Sequence, residues 1–196
     1  MKLTLWLVSI VLLCRALPLL ADTGLLLSVS GRLTTGQQLQ GRFDQQKSLP
    51  FLALPLNSSG DFSLDSDRGL YWRVLKPVKS EMTVDASGVQ LDGHYVRDHG
   101  AGDLIASLMR AFMTGDLSGV QRTFAVSGEH GDEEWRLILK PRGAVLRSVL
   151  KKIEVSGDSY LARVIIFETS ESVTRIRLID VSQSKGEEGG LHANSP

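Results

Sequence analysis

The chain has 196 residues, with 22 basic against 22 acidic side chains and a formal charge of zero at pH 7. That balance lacks the basic footprint of a nucleic-acid binder, and the length is that of one domain. The single cysteine, Cys14, sits in an apolar N-terminal run, so the rest of the chain has no thiol for a disulfide and must be stabilised by burial.

Met1 and Lys2 give a positive start, and "LTLWLVSIVLLC" follows. This run is shorter than the roughly 20 residues that span a bilayer, and it fits the apolar region of a secretory signal. "ALPLLAD" predicts a cut after Ala21, with Leu19 three positions before it. Leu13, which is not small, precedes Cys14, so Cys14 reads as a signal residue rather than a lipidation site. Residues 1–21 are thus expected to be a signal peptide and 22–182 the folded domain. The tail "SQSKGEEGGLHANSP" has almost no apolar content, so 183–196 is expected to be disordered. Loss of Lys2 and Arg15 leaves 20 basic against 22 acidic side chains, a net charge of −2.

"GLLLSVSGRLTTG" (24–36) carries Leu25, Leu26, Val29 and Leu33 at helical spacing, with Gly31 as a weak point. From Leu39 the period becomes two, with Leu39, Gly41, Phe43, Gln45 and Lys47 on one side: apolar at first, then polar. Leu52, Leu54 and Leu56 share a face, as do Phe62 and Leu64, which predicts strands at 51–57 and 60–65 or one long bent strand. "LYWRVLK" places Leu70, Trp72 and Val74 on one face, and Pro77 ends it. "EMTVDASGVQLDG" reads as a hairpin with Met82 and Val84 leading in and Val89 and Leu91 leading out. "GDLIASLMRAFMTGD" predicts an amphipathic helix with Leu104, Ile105, Leu108, Met109, Phe112 and Met113 on one wide stripe, Asp103 at its positive start and Gly115 at its end. Strands are expected near 122–128, 134–140, 150–156, 159–168 and 172–181, with a helical turn in "GAVLRSVL". The sum is a mainly β (α+β) protein: an incomplete antiparallel β-barrel, or strongly curved sheet of eight to eleven strands, covered by a few lid helices.

Motifs of bond chemistry are missing: the sequence has no GxSxG, GxxxxGK[ST], HExxH or CxxC. Ser148–Lys151 form an S-x-x-K string, which needs a cleft and further partners to mean anything. His94, Asp98 and His99 in "GHYVRDHG", and the acids of "HGDEEW", read as solvated loops, so no metal site, cofactor or catalytic residue is expected. Asn57-Ser58-Ser59 is a glycosylation sequon of little weight. A one-layer sheet with an apolar inner face must cover that face, and a helix carrying Met and Phe suits a surface that repacks around variable apolar cargo. The interior is then either filled by side chains or a cavity. Scarce bulky residues, 3 Trp and 6 Phe in the chain, favour a cavity. Its expected lining is Phe43, Leu54, Leu56, Phe62, Leu64, Leu70, Trp72, Val74 and Met82 from the strands, with Leu104, Leu108 and Phe112 from the helix.

"GRFDQQKSL" resembles the F-x-Q-x-K element of periplasmic lipoprotein carriers of the LolA type, with Phe43, Gln45 and Lys47 in the matching positions. "GDFSLDSDRGLYWRVLKPVKSEMTVDASGVQL" resembles their next block, and the order of lid helix and later strands matches over most of 25–181. The "RGLYW" form is similar to a divergent LolA-like branch found with acyltransferase and polyene-lipid biosynthesis enzymes. The resemblance implies a Gram-negative periplasmic carrier, monomeric and without enzymatic activity. It would hold the acyl chains of a lipoprotein, glycolipid or polyene lipid between an inner-membrane donor and an outer-membrane acceptor protein. It also implies an arginine that latches the lid. The strict counterpart counted back from Trp72 is Ser66, and the nearest arginine, Arg68, is the candidate latch. The C-terminal extension of such carriers has no counterpart here. A lipid-sensing regulatory domain of the same fold is the alternative reading. A lipid-modifying enzyme is disfavoured by the lack of a credible nucleophile or metal set.

Overall fold

The computed structural model describes residues 19–34, 38–65, 68–85, 87–95 and 101–183. Most of the expected signal peptide, residues 184–196 of the polar tail, Ser66, Asp98 and His99 lie outside the described residues, while Gln183, expected to be disordered, ends β11. The elements run α1 (Leu19–Arg32), β1 (Gln38–Ser48), β2 (Leu56–Asp65), β3 (Gly69–Lys76), β4 (Ser80–Asp85), β5 (Gly88–Leu91), β6 (His94–Tyr95), α2 (Ala101–Thr114), α3 (Val120–Thr123), β7 (Phe124–His130), β8 (Trp135–Pro141), α4 (Ala144–Val149), β9 (Leu150–Gly157), β10 (Leu161–Glu168) and β11 (Val173–Gln183). Among the described residues no helix is long and apolar enough to cross a membrane.

The strands form one 11-stranded sheet in the order β6-β5-β4-β3-β2-β1-β11-β10-β9-β8-β7. Each neighbouring pair is antiparallel. The first and last long strands meet in the middle, and the sheet ends at β6 and β7 without closing into a barrel. The mainly β, open-barrel architecture expected from the sequence is the one observed. Some expected elements differ: the strand expected near 122–128 starts at Phe124, after the short helix α3, and the helix read in 24–36 ends at Arg32. The strand at 51–57 begins only at Leu56, because Pro50 and Pro55 bracket "FLAL", and a proline has no N–H for a ladder.

Alternation decides which face is inside. In β1, Leu39 and Phe43 are buried while Gln40, Arg42, Asp44 and Gln46 point the other way, towards solvent. β2 and β3 add Phe62, Leu64, Leu70 and Trp72 to the same buried face. Two glycines admit the aromatic rings. Phe43 lies opposite Gly60 and Phe62 opposite Gly41 in the β1–β2 register. A Cβ on Gly60 would meet the Arg73 carbonyl oxygen at 1.9 Å and the Phe43 ring at 2.9 Å. The freed space lets Phe43 stack on Trp72, with ring centroids 3.8 Å apart, and Phe62 lies 5.9 Å from Trp72.

α2 packs on β3 and β4, yet its Phe112 stacks on Trp135 of β8, 5.5 Å away. One helix therefore touches strands from both halves of the sheet, which must curve around it. Gly115, at φ 76°, ends α2 in the left-handed conformation that a side chain resists. α1 lies against β7, burying Leu26 and Val29, and Leu33 beyond its end is buried as well.

Candidate functional site

The two ends of the sheet differ. At one end lie the β7–β8 and β9–β10 turns and the C-termini of α1 and α2, and they are tied together. The Arg32 guanidinium donates to the carbonyl oxygens of Gly131 and Asp132, both at 2.6 Å, and pairs with the Asp158 carboxylate. The Thr34 N–H donates to the Ser159 carbonyl at 2.6 Å, and the Ser30 hydroxyl to the Gly115 carbonyl at 2.6 Å. Trp135 Nε1 donates to the Asp158 carbonyl at 2.7 Å. Leu33, Phe112, Met113 and Leu161 leave almost no space between them here.

At the opposite end the packing opens. A cavity of about 440 Å³ lies between the N-terminal half of α2 and the inner face of the sheet. Trp72 and Met82 line it from one half of the sheet, Leu150, Ile166 and Ile176 from the other, and Ile105, Ala106 and Met109 from the helix. Gln45 and the ion pair of Lys47 Nζ with Glu168 Oε1, 3.1 Å, stand in its polar part. The volume falls in the range of about 300–1,000 Å³ typical of ligand pockets. At roughly 30 Å³ for a water-sized group, it admits a chain on the order of one acyl group. A groove of about 560 Å³ on the outer face is larger, but Asp44, Gln46, Asn57, Arg163, Arg175 and Arg177 line it, so an alkyl chain there would displace water from several charged and amide groups.

Of the residues expected to line the cavity, Trp72 and Met82 do so. Phe43, Phe62, Leu64, Leu70, Leu108 and Phe112 are buried in the filled core outside the lining, and Val74 and Leu104 are half-buried beside it. Leu54 and Leu56 are corrected outright. They are 79% and 53% exposed, because the segment before β2 leaves the sheet. The helix stripe divides by angle: Ile105, Ala106 and Met109 face the cavity, while Leu108, Phe112 and Met113 turn away into the core. The lining from β9 to β11 was not anticipated. Its signal was the alternation in "KIEVSG", "RVIIFE" and "TRIRLI", which marks an inner face but not its partner.

Arg68 does not sit as a latch. It is exposed in the β2–β3 turn, its backbone N–H donates to Asp65 Oδ1 at 3.0 Å, and its guanidinium bonds to no helix among the described residues. Arg32 ties α1 to the turns of the sheet, and Arg142 donates to carbonyls of α3 and β7. The S-x-x-K string is not a dyad. The Ser148 hydroxyl donates to the Val145 carbonyl at 2.7 Å, and Lys151 pairs with Glu171. His94 is exposed at the end of the sheet, and the described residues contain no group of three or more His, Cys, Asp or Glu placed to hold a metal.

No family model matches the sequence, and no curated protein sequence matches it. Solved structures do match. A LolA superfamily protein from Nitrosomonas europaea aligns with 84% of this chain and 94% of its own, at 9% identity and a TM-score of 0.50. A chain of the Pseudomonas aeruginosa MucA/MucB complex aligns with 84% of this chain and 57% of its own, at 16% identity and TM-score 0.41. A structure named for outer membrane lipoprotein sorting, from Vibrio parahaemolyticus, covers 85% and 95%, at 9% identity and TM-score 0.35. The open eleven-stranded sheet wrapped around α2 is thus a LolA-like fold.

Proposed function

We propose that this chain is an exported periplasmic carrier that shields an acyl chain of a lipoprotein or lipid-linked product in the cavity beneath α2 and passes it towards the outer membrane. The observation that carries this reading is the cavity itself: a mainly apolar space of about 440 Å³, open at one end of a sheet that is tightly closed at the other. Each methylene moved from water into it contributes about 0.8 kcal/mol, so ten contribute about 8 kcal/mol. Ordering the chain and the lid takes back several of these. Binding would then be firm enough for transit and weak enough for release to a more apolar acceptor. The LolA-like fold supports the reading by analogy of architecture. An inner-membrane donor and an outer-membrane acceptor protein would complete the route, with the carrier acting as a monomer.

Native mass spectrometry of the exported protein, followed by titration with a fluorescent fatty acid, tests this. Co-purified lipid or saturable uptake at one site is expected. A protein that is lipid-free and takes up no fatty acid would leave the space as an ordinary packing defect.

A further inference from the structure

The exposure of Leu54 and Leu56 marks the open end of the cavity. "PFLALPL" (50–56) is an unbroken apolar run in which Phe51, Leu52, Leu54 and Leu56 are all exposed, Phe51 by 80%. Two neighbouring segments repeat the pattern. The β3–β4 loop presents Val78, 74% exposed, between Lys76 and Lys79, and α4 presents Val145 and Val149 beside Arg147. Register places these segments side by side: Leu56 faces Lys47, Lys76 faces Ser59, and Ser48 faces Val173. The Thr169 N–H and hydroxyl donate to the Val149 and Ser148 carbonyls, at 3.1 and 2.8 Å, and hold α4 in the same arc. The arc borders the cavity, whose own lining includes Lys47, Val149 and Glu168.

We propose that this arc is a docking surface for an anionic lipid bilayer, which brings the cavity mouth against the membrane. Monomeric proteins rarely expose so continuous an apolar run without a partner. The charges beside it select the partner. Lys76, Lys79 and Arg147 are exposed and form no ion pair among the described residues, whereas two acids of the arc, Glu168 and Glu171, are neutralised by Lys47 and Lys151. Apolar tips set among unneutralised cations suit acyl chains beneath anionic headgroups. The docking is read from the rim alone. Only its purpose, transfer of an acyl chain without crossing water, rests on the carrier reading.

Flotation with phosphatidylglycerol or phosphatidylcholine vesicles tests it, using exported wild type and variants that share one N-terminus. Wild type is expected on the phosphatidylglycerol vesicles, less so as salt rises. Phe51→Asp with Leu54→Asp should weaken that binding at least tenfold. Lys76→Gln with Lys79→Gln should weaken it about thirty-fold, at about 1 kcal/mol per lysine near an anionic surface. Neither pair lines the cavity, so both variants should keep the wild-type urea midpoint and any uptake of fatty acid from solution. Wild type that fails to float, or rim variants that float as wild type does, would overturn the proposal; the first result would turn the rim over to a protein acceptor. Rim-dependent flotation by a protein that takes up no fatty acid would uphold the docking and sink the carrier reading instead.

Discussion

Filling the cavity from the helix separates a usable site from a slack core. Ala106 is only 1% exposed, yet it lines the space beneath α2 together with Ile105 and Met109. Ala106→Phe projects a ring into that space. If the 440 Å³ are present, the ring finds room and buries apolar area that alanine leaves unused. Cavity-filling changes of this kind contribute about 0.5–2 kcal/mol, which corresponds to a Tm rise of roughly 1–8 °C for a domain of this size. The same ring occupies the volume an acyl chain needs, so fatty-acid uptake should vanish while the urea midpoint rises. The control is Phe112→Ala on the same helix, in the filled region. It should cost about 3–5 kcal/mol for the void, including about 0.5–1.5 kcal/mol of the stack on Trp135. The measurements are a urea melt and a fluorescent fatty-acid titration on each variant. A loss of about 1–3 kcal/mol in Ala106→Phe would be the mark of overpacking and would refute the cavity. A stabilised variant that still takes up fatty acid would place the binding site elsewhere.

Arg32→Leu removes the hydrogen-bonded links from α1 to the turns of two hairpins. It should cost about 1–3 kcal/mol and speed amide exchange in the β7–β8 hairpin; unchanged exchange there would show that the clamp holds nothing. Gly60→Ala should destabilise by more than about 3 kcal/mol in a urea melt, because the Arg73 carbonyl cannot retreat without breaking the β2–β3 ladder. Arg68→Leu should leave stability within about 0.5 kcal/mol and fatty-acid uptake unchanged, whereas a changed release rate would restore its role as a latch. Hydrogen bonds from the Ser118 hydroxyl and N–H hold the Asp116 carboxyl below the ordinary aspartate range. With the folded value the lower one, its contribution is present above about pH 3.9 and lost as pH falls through the folded value. In urea melts, Asp116→Asn should therefore diverge less from wild type at about pH 3 than at neutral pH.

Much of the fold was legible because it is written in local periods. The alternation of β1, the paired runs of β4 and β5 and the wide stripe of α2 each state a buried face without reference to the rest of the chain. What alternation cannot state is how far a face stays covered. Leu52, Leu54 and Leu56 are spaced as one face of a strand would be, yet all three are outside, because two prolines deny the segment a ladder. The same limit hid the division of α2. Six apolar residues on one stripe look alike in sequence, and only the neighbours across the gap decide that Met109 meets empty space while Phe112 meets Trp135.

One part of the site is nonetheless written in the order of residues along a single strand. On the inner face of β1 the side chains run Leu39, Gly41, Phe43, Gln45, Lys47, passing from apolar to polar towards Ser48. A core strand buried along its whole length would have no reason to change character, since a buried amide and ammonium each need partners. The change marks where the inner face approaches water. Lys47 meets Glu168 there, part-exposed, and beyond them the apolar residues reappear on the outside, in "FLALPL". The strand thus records both boundaries of the cavity: the stacked Phe43 and Trp72 where the core fills, and the Lys47–Glu168 pair at its polar margin. If the cavity holds an alkyl chain, as proposed, that chain must pass this polar margin, which is a barrier unless a third surface covers it. On that reading the apolar run just outside it has a physical reason to be exposed.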